Sequence, residues 1–254
     1  MRALLMFLPA MFVAAVNAQH TSLTFQSSGE QVALVELYTS EGCSSCPPAE
    51  TWLSRLKESP GLWKDFVPVA FHVDYWDYLG WRDPWASKSF SDRQRTYAKQ
   101  WRSDSTYTPG FVLNGKEWRD WSGRKDGPKS SGVKAGVLTV SSSDRNRWQV
   151  SFAPASAVGS NYEVQAALLA GGVSSNVKAG ENRGRVLNHD FVVLTVVEAS
   201  LVRSGEVVQG EFVLSKRQSP TESDLALAVW ITRAGRFEPL QATGGWLARP
   251  VSAR

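Results

Sequence analysis

The chain has 254 residues, 28 Lys and Arg against 24 Asp and Glu, and 43% hydrophobic residues, enough to bury a sizeable core and too apolar for a disordered tail. Its net charge of +4 is small and the basic residues are scattered among acids, so there is no electrostatic footprint for nucleic acid, and that partner class is excluded. The length fits one large or two modest domains, and the contrast between the halves favours two.

Met1-Arg2 supplies a positive charge, Ala3 to Val16 is an apolar run, and Val16-Asn17-Ala18 offers the small residue that precedes a cut. This predicts a secretory signal peptide over residues 1–18 and a periplasmic or secreted mature chain. The run falls short of the ~20 residues that span a hydrocarbon core. No later stretch approaches that length, so no membrane span is expected after cleavage. An exported chain lives where disulfides persist, which bears on its two cysteines.

Eight of the eleven Trp lie between Trp52 and Trp121 and five of the six Tyr between Tyr38 and Tyr107, so the first half is aromatic-rich. Val32 to Tyr38 reads as a central strand buried on both faces, interrupted by Glu36. Cys43-Ser44-Ser45-Cys46 follows, then Pro47-Pro48 and the helically spaced Trp52, Leu53 and Leu56, so a helix starts near the cysteines, where proline is tolerated. Pro60-Gly61 ends it. Phe66 to Val73 is the next strand, which makes a right-handed parallel crossover. An irregular aromatic stretch runs from Tyr75 to Trp85. A helix is predicted over Ser91 to Trp101, then a short strand closed by Asn114-Gly115.

From Asp120 to Ser143 the chain is rich in Gly, Ser, Lys and Pro, which predicts a linker over 124–143. Beyond it, Trp148 to Phe152, Tyr162 to Ala166, Phe191 to Val197, Glu211 to Leu214 and Leu225 to Ile231 read as short strands. Their spacing argues an antiparallel β-sandwich over 144–254.

Cys43 and Cys46 are the two cysteines of the chain. As a staple the pair is weak, since loop entropy gives about 2 kcal/mol for so small a ring. As a zinc site it is incomplete, since structural zinc needs four ligands, no second cysteine pair exists, and His72 and His189 contribute only if the fold happens to bring them in. As a redox pair it is well placed. A helix start lowers a thiol pKa, so an accessible Cys43 attacks and Cys46, less exposed, resolves the mixed disulfide.

Val35 to Tyr38, the Cys43–Cys46 motif and Tyr107-Thr108-Pro109-Gly110-Phe111 together resemble a thioredoxin-like fold. More narrowly, Glu36 to Ala49 with Phe71 to Trp81, and Gly180 to Asp190 further on, resemble a family of secreted bacterial thioredoxin-like proteins of undefined function. The resemblance implies an α/β thioredoxin-like domain over 30–123 ahead of the antiparallel β-sandwich domain. It also implies Cys43 as nucleophile, Cys46 as resolving cysteine, Pro109 in a cis peptide with Thr108 orienting substrate, and Glu36 as proton shuttle.

The expected function is therefore thiol–disulfide exchange, an oxidoreductase activity on exported protein or peptide thiols or a redox partner protein, with no organic cofactor. Two alternatives stay open. One is copper handling through Cys43, Cys46 and His72, because sulfur and imidazole suit copper. The other is a non-catalytic binding module. His72 also has a structural reading, as a hydrogen-bonded histidine fixing the aromatic loop. Tyr75 to Trp85 reads either as a binding groove or as a packed lid.

Overall fold

The computed structural model describes residues 22–156, 161–214 and 224–248; the expected signal peptide lies outside the described residues. In the first half, β1 (Leu23–Gln26) precedes β2 (Ala33–Thr39), α1 (Pro47–Arg55), β3 (Phe66–His72), α2 (Lys88–Gln100), β4 (Gly110–Leu113) and β5 (Lys116–Glu117). The second half contributes β6 (Gly136–Ser142), β7 (Arg147–Pro154), β8 (Tyr162–Gly171), β9 (Val173–Asn176), β10 (Val186–His189), β11 (Val192–Ser204), β12 (Val207–Val213), β13 (Asp224–Arg233) and β14 (Gln241–Ala248).

Strands β2 and β3 are buried at every position and pair in parallel, as expected of apolar runs joined by a helical crossover. α1 starts at Pro47, where the missing N–H costs nothing, and buries Ala49, Glu50, Trp52 and Leu53. Trp52 packs edge-on to Phe111, Trp118 and Trp121, and truncating so buried an indole to alanine costs about 3–5 kcal/mol. α2 lies elsewhere against β3, capped by the Ser87 hydroxyl, which accepts from the Ser89 N–H. Its buried residues Phe90, Gln94, Tyr97 and Ala98 recur at helical spacing. β4 runs antiparallel to β2 and turns into β5 through Asn114 and Gly115, both at positive φ, the backbone that a tight hairpin requires.

The expected α/β thioredoxin-like domain followed by a separate sandwich is overturned. The protein is mostly β, 46% strand and 13% helix, and one mixed sheet of twelve strands runs through both halves. The junction is β11. Its Val192 pairs in parallel with Ala70 of β3, its next residues run antiparallel to β8, and Val202 to Ser204 pair with β12. β8 continues the sheet to β13 and β14, while β12 leads to β7, β6 and β1.

The physical reason lies at the free edge of β3. A strand buried on both faces cannot leave a ladder of N–H and C=O groups unpaired. Ala70 donates to the Phe191 carbonyl, 2.8 Å away. The core follows the sheet, since one cluster holds Leu34, Phe71 and Phe111 together with Leu169, Phe191 and Trp230. A second cluster, including Trp148, Phe152, Phe212 and Ile231, fills the space between β6, β7 and β12 and the facing β8 and β13. Residues 136–142, inside the expected linker, form β6, whose alternating burial fits a sheet with one buried face.

Candidate functional site

Cys43 and Cys46 are joined by a disulfide in the turn that leads into α1. Cys46 is the N-cap residue, its carbonyl accepting from the N–H groups of Ala49 and Glu50, and Cys43 stands one turn ahead of the helix. The redox reading places Cys43 at the helix start and Cys46 one turn in; instead Cys46 caps the helix and Cys43 lies before it. The bond between Thr108 and Pro109 is cis, as the resemblance implied. Ser45 links the two segments, its hydroxyl 3.3 Å from the Cys43 sulfur and 3.5 Å from the Thr108 carbonyl.

Exposure differs from expectation. Cys43, expected to be accessible, is 0% exposed, as is Cys46, whereas Ser44 and Ser45 between them face solvent. Part of the aromatic stretch packs against the turn, while Tyr78 stays exposed. Trp76 donates its indole N–H to the Thr108 hydroxyl at 2.8 Å, and Trp81 donates to Glu41 at 2.6 Å. Gly42 admits Trp76 so closely that a Cβ there would lie 2.8 Å from the Trp76 Cβ. The second cover is the Gly180 to Asp190 segment. The fully buried Asn182 donates from Nδ2 to the carbonyls of Glu41 and Cys43, each at 2.9 Å, and the Ser44 N–H donates to Glu181.

Beneath the turn lies a buried group of histidines and carboxylates. Thr39 and His72 are neighbours at the carboxyl ends of the parallel strands β2 and β3. Thr39 donates to Glu50 of α1, whose other oxygen contacts Nδ1 of His189 at the end of β10. Nε2 of His189 faces Glu41 at 3.0 Å. His72 Nδ1 lies 2.8 Å from Asp83, and the same carboxylate oxygen accepts the Glu41 N–H at 2.9 Å.

Burial disfavours charge on His189, but the hydrogen bonds and charges of Glu41 and Glu50 outweigh it and push the imidazole up to about 10. Burial likewise opposes ionisation of Glu50 and Asp83. His189 and Thr39 hold Glu50 below the usual carboxylate range, and His72 with the Glu41 and Trp85 N–H groups does the same for Asp83.

Glu36, expected to shuttle protons to Cys46, is not brought to the cysteines. Side chains alternate along a strand, so Glu36 and Tyr38 leave the face that carries Thr39. Glu36 instead pairs with Arg93 of α2 at 2.8 Å and accepts from the hydroxyls of Tyr38 and Tyr97. The copper set of Cys43, Cys46 and His72 is not gathered either. The donor atoms that do converge, within 4.8 Å of one another, belong to Glu50, His72 and His189.

Glu41, Glu50, Asp83, Glu181 and Asn182 carry no motif that marks them in the sequence as parts of this site. For Glu50 the available signal is its place four residues after Cys46; for Asn182 it is the Gly180 to Asp190 resemblance, whose chemistry was unreadable without the fold.

A mixed β protein whose Cys-x-x-Cys turn is clamped over a buried histidine–carboxylate group is the class that fold and site define. The chain belongs to the family described as Protein of unknown function (DUF1223), which matches residues 34–232. Among solved structures it is similar to protein AGR_C_4864 from Agrobacterium tumefaciens, at 22% identity and TM-score 0.58 over 89% of this chain and 98% of that one. It is also similar to HBP35 of Porphyromonas gingivalis, at 12% identity and TM-score 0.55 over 90% of this chain and 79% of that one. Both likenesses concern the fold alone. No curated protein matches the sequence.

Proposed function

We propose that the protein carries out thiol–disulfide exchange through Cys43 and Cys46 on exported protein or peptide thiols. The observation that carries the reading is the disulfide itself: the two cysteines of the chain are joined to each other at a helix start, beside the Thr108–Pro109 segment.

In the reduced state the Cys43 thiolate attacks a substrate disulfide, forming a mixed disulfide while the departing substrate sulfur takes up a proton. The Cys46 thiolate then attacks the Cys43 sulfur, which reforms the internal disulfide and releases the second substrate thiol. An exported dithiol protein returns the pair to the reduced state. In reverse, the same steps pass the disulfide to a substrate dithiol.

Because both sulfurs are buried behind the exposed Ser44–Ser45 turn, exchange requires that turn to shift and uncover them. Thiol trapping after incubation with a mixed-disulfide substrate tests the reading. Cys46→Ser is expected to accumulate a covalent adduct at Cys43, and Cys43→Ser to lose turnover. Wild-type turnover in Cys43→Ser would end the proposal.

A further inference from the structure

We propose that Glu50, His72 and His189 form a binding site for a divalent transition-metal ion of the zinc class. One donor atom from each lies within 4.8 Å of the other two, and the three come from the first turn of α1, the end of β3 and the end of β10. Bond lengths near 2.0–2.2 Å put the ligand atoms of a tetrahedral zinc about 3.3 Å apart. A small inward shift of the His72 ring and a parting of His189 from Glu50 meet that requirement.

Independent of this proximity, His72 Nε2 is buried and has no hydrogen-bond partner. A buried polar atom without a partner calls for an occupant, because nearly all such atoms in folded proteins are satisfied. The ring is aimed by its other nitrogen, which Asp83 holds at 2.8 Å. His189 has both nitrogens engaged, Nε2 on Glu41 and Nδ1 on Glu50, and the ion would take the place of the Nδ1 contact. Two imidazoles, each backed by a carboxylate, form the outer shell that orients metal-bound histidines. Thr39 occupies one oxygen of Glu50, and the other, which contacts His189 Nδ1, would turn to the ion.

Two nitrogens and one oxygen suit zinc and its neighbours, whereas copper(I) prefers sulfur. Three carboxylates around two imidazoles also favour a cation. This site stands apart from thiol exchange: it uses neither sulfur, so replacing the cysteines leaves it intact.

The test uses the full chain, treated with chelator and with the disulfide formed, titrated with zinc by calorimetry and with cobalt(II) by visible absorption. One equivalent should bind, and the cobalt spectrum should show ligand-field bands without thiolate charge transfer. Binding should persist in Cys43→Ser/Cys46→Ser. Asp83→Asn should weaken it by about 10–100-fold, and His72→Gln by more. Should His72→Gln fail to fold, the wild-type cobalt spectrum and a zinc-dependent rise in Tm still decide the matter. No binding to the wild type, thiolate bands, loss of binding with the cysteines, or undiminished binding in folded His72→Gln would each overturn the site.

Discussion

Two buried acids in this protein are neutralised in opposite ways. Glu36 meets a guanidinium: Arg93 lies against the rings of Phe71, Tyr97, Trp230 and Phe237, bonds Glu36 and reaches Gln165 at 2.9 Å. Glu50 meets an imidazole and shares its surroundings with a second histidine, one of whose nitrogens has no partner. The first arrangement is closed, because arginine is always charged and every strong contact is used. The second is exchangeable, because an imidazole, unlike a guanidinium, can yield its proton to a metal ion, and His72 Nε2 has no partner to lose. A buried carboxylate therefore marks a functional site only when its partners have chemistry left over.

The largest effect should come from opening the closed cluster. Arg93→Met strands Glu36 as an unpaired buried charge and should cost about 3–5 kcal/mol in urea unfolding. Adding Glu36→Leu should recover much of that loss, so strict additivity in the double-mutant cycle would contradict the closed-pair reading.

Next comes Asn182→Ala, which leaves the carbonyls of Glu41 and Cys43 without their side-chain donor. It should cost about 1–3 kcal/mol and speed reduction of the Cys43–Cys46 disulfide by dithiothreitol. An unchanged reduction rate would mean that this segment does not guard the pair.

The clusters respond differently to pH. His189 is raised above its unfolded value of 6.5 to about 10, so its contribution to the metal-free protein is complete below about 6.5 and fades as pH rises toward 10. Glu50 and Asp83 are depressed, so theirs holds above the usual carboxylate range and fades as pH falls through their lower native values. Urea midpoints should decline from pH 6.5 to 10 in the wild type and much less in His189→Gln. The Arg93 cluster adds little slope in that window, since burial, with Glu36 second, raises Tyr38 and Tyr97 well above their usual range. The smallest effect is expected from Glu181→Gln, an exposed partner of the Ser44 N–H: Tm should stay put while disulfide reduction quickens slightly.

Local pattern was enough for the elements around the cysteines. Val32 to Tyr38 and Phe66 to Val73 read as strands because their apolar runs are continuous, and the observed β2 and β3 differ from those spans by a residue at the ends. The helix after Cys46 followed from its prolines and the spacing of Trp52, Leu53 and Leu56, and the hairpin from Asn114-Gly115. β14 was missed, because Gly244 and Gly245 break the apolar run that would announce it.

The sequence by itself determined that the segments of β2, β3, β4, α1 and α2 become strands and helices, and that a helix starts beside two cysteines three positions apart. These properties depend on neighbours within a few residues. Tertiary structure alone decided that β11 joins the edge of β3 at Ala70, that Glu36 meets Arg93, and that His189 and Asn182 close under and over the cysteines. Such pairings join residues from about sixty to more than a hundred positions apart, and they are selected by burial and hydrogen-bond satisfaction across the whole sheet, which no local periodicity encodes.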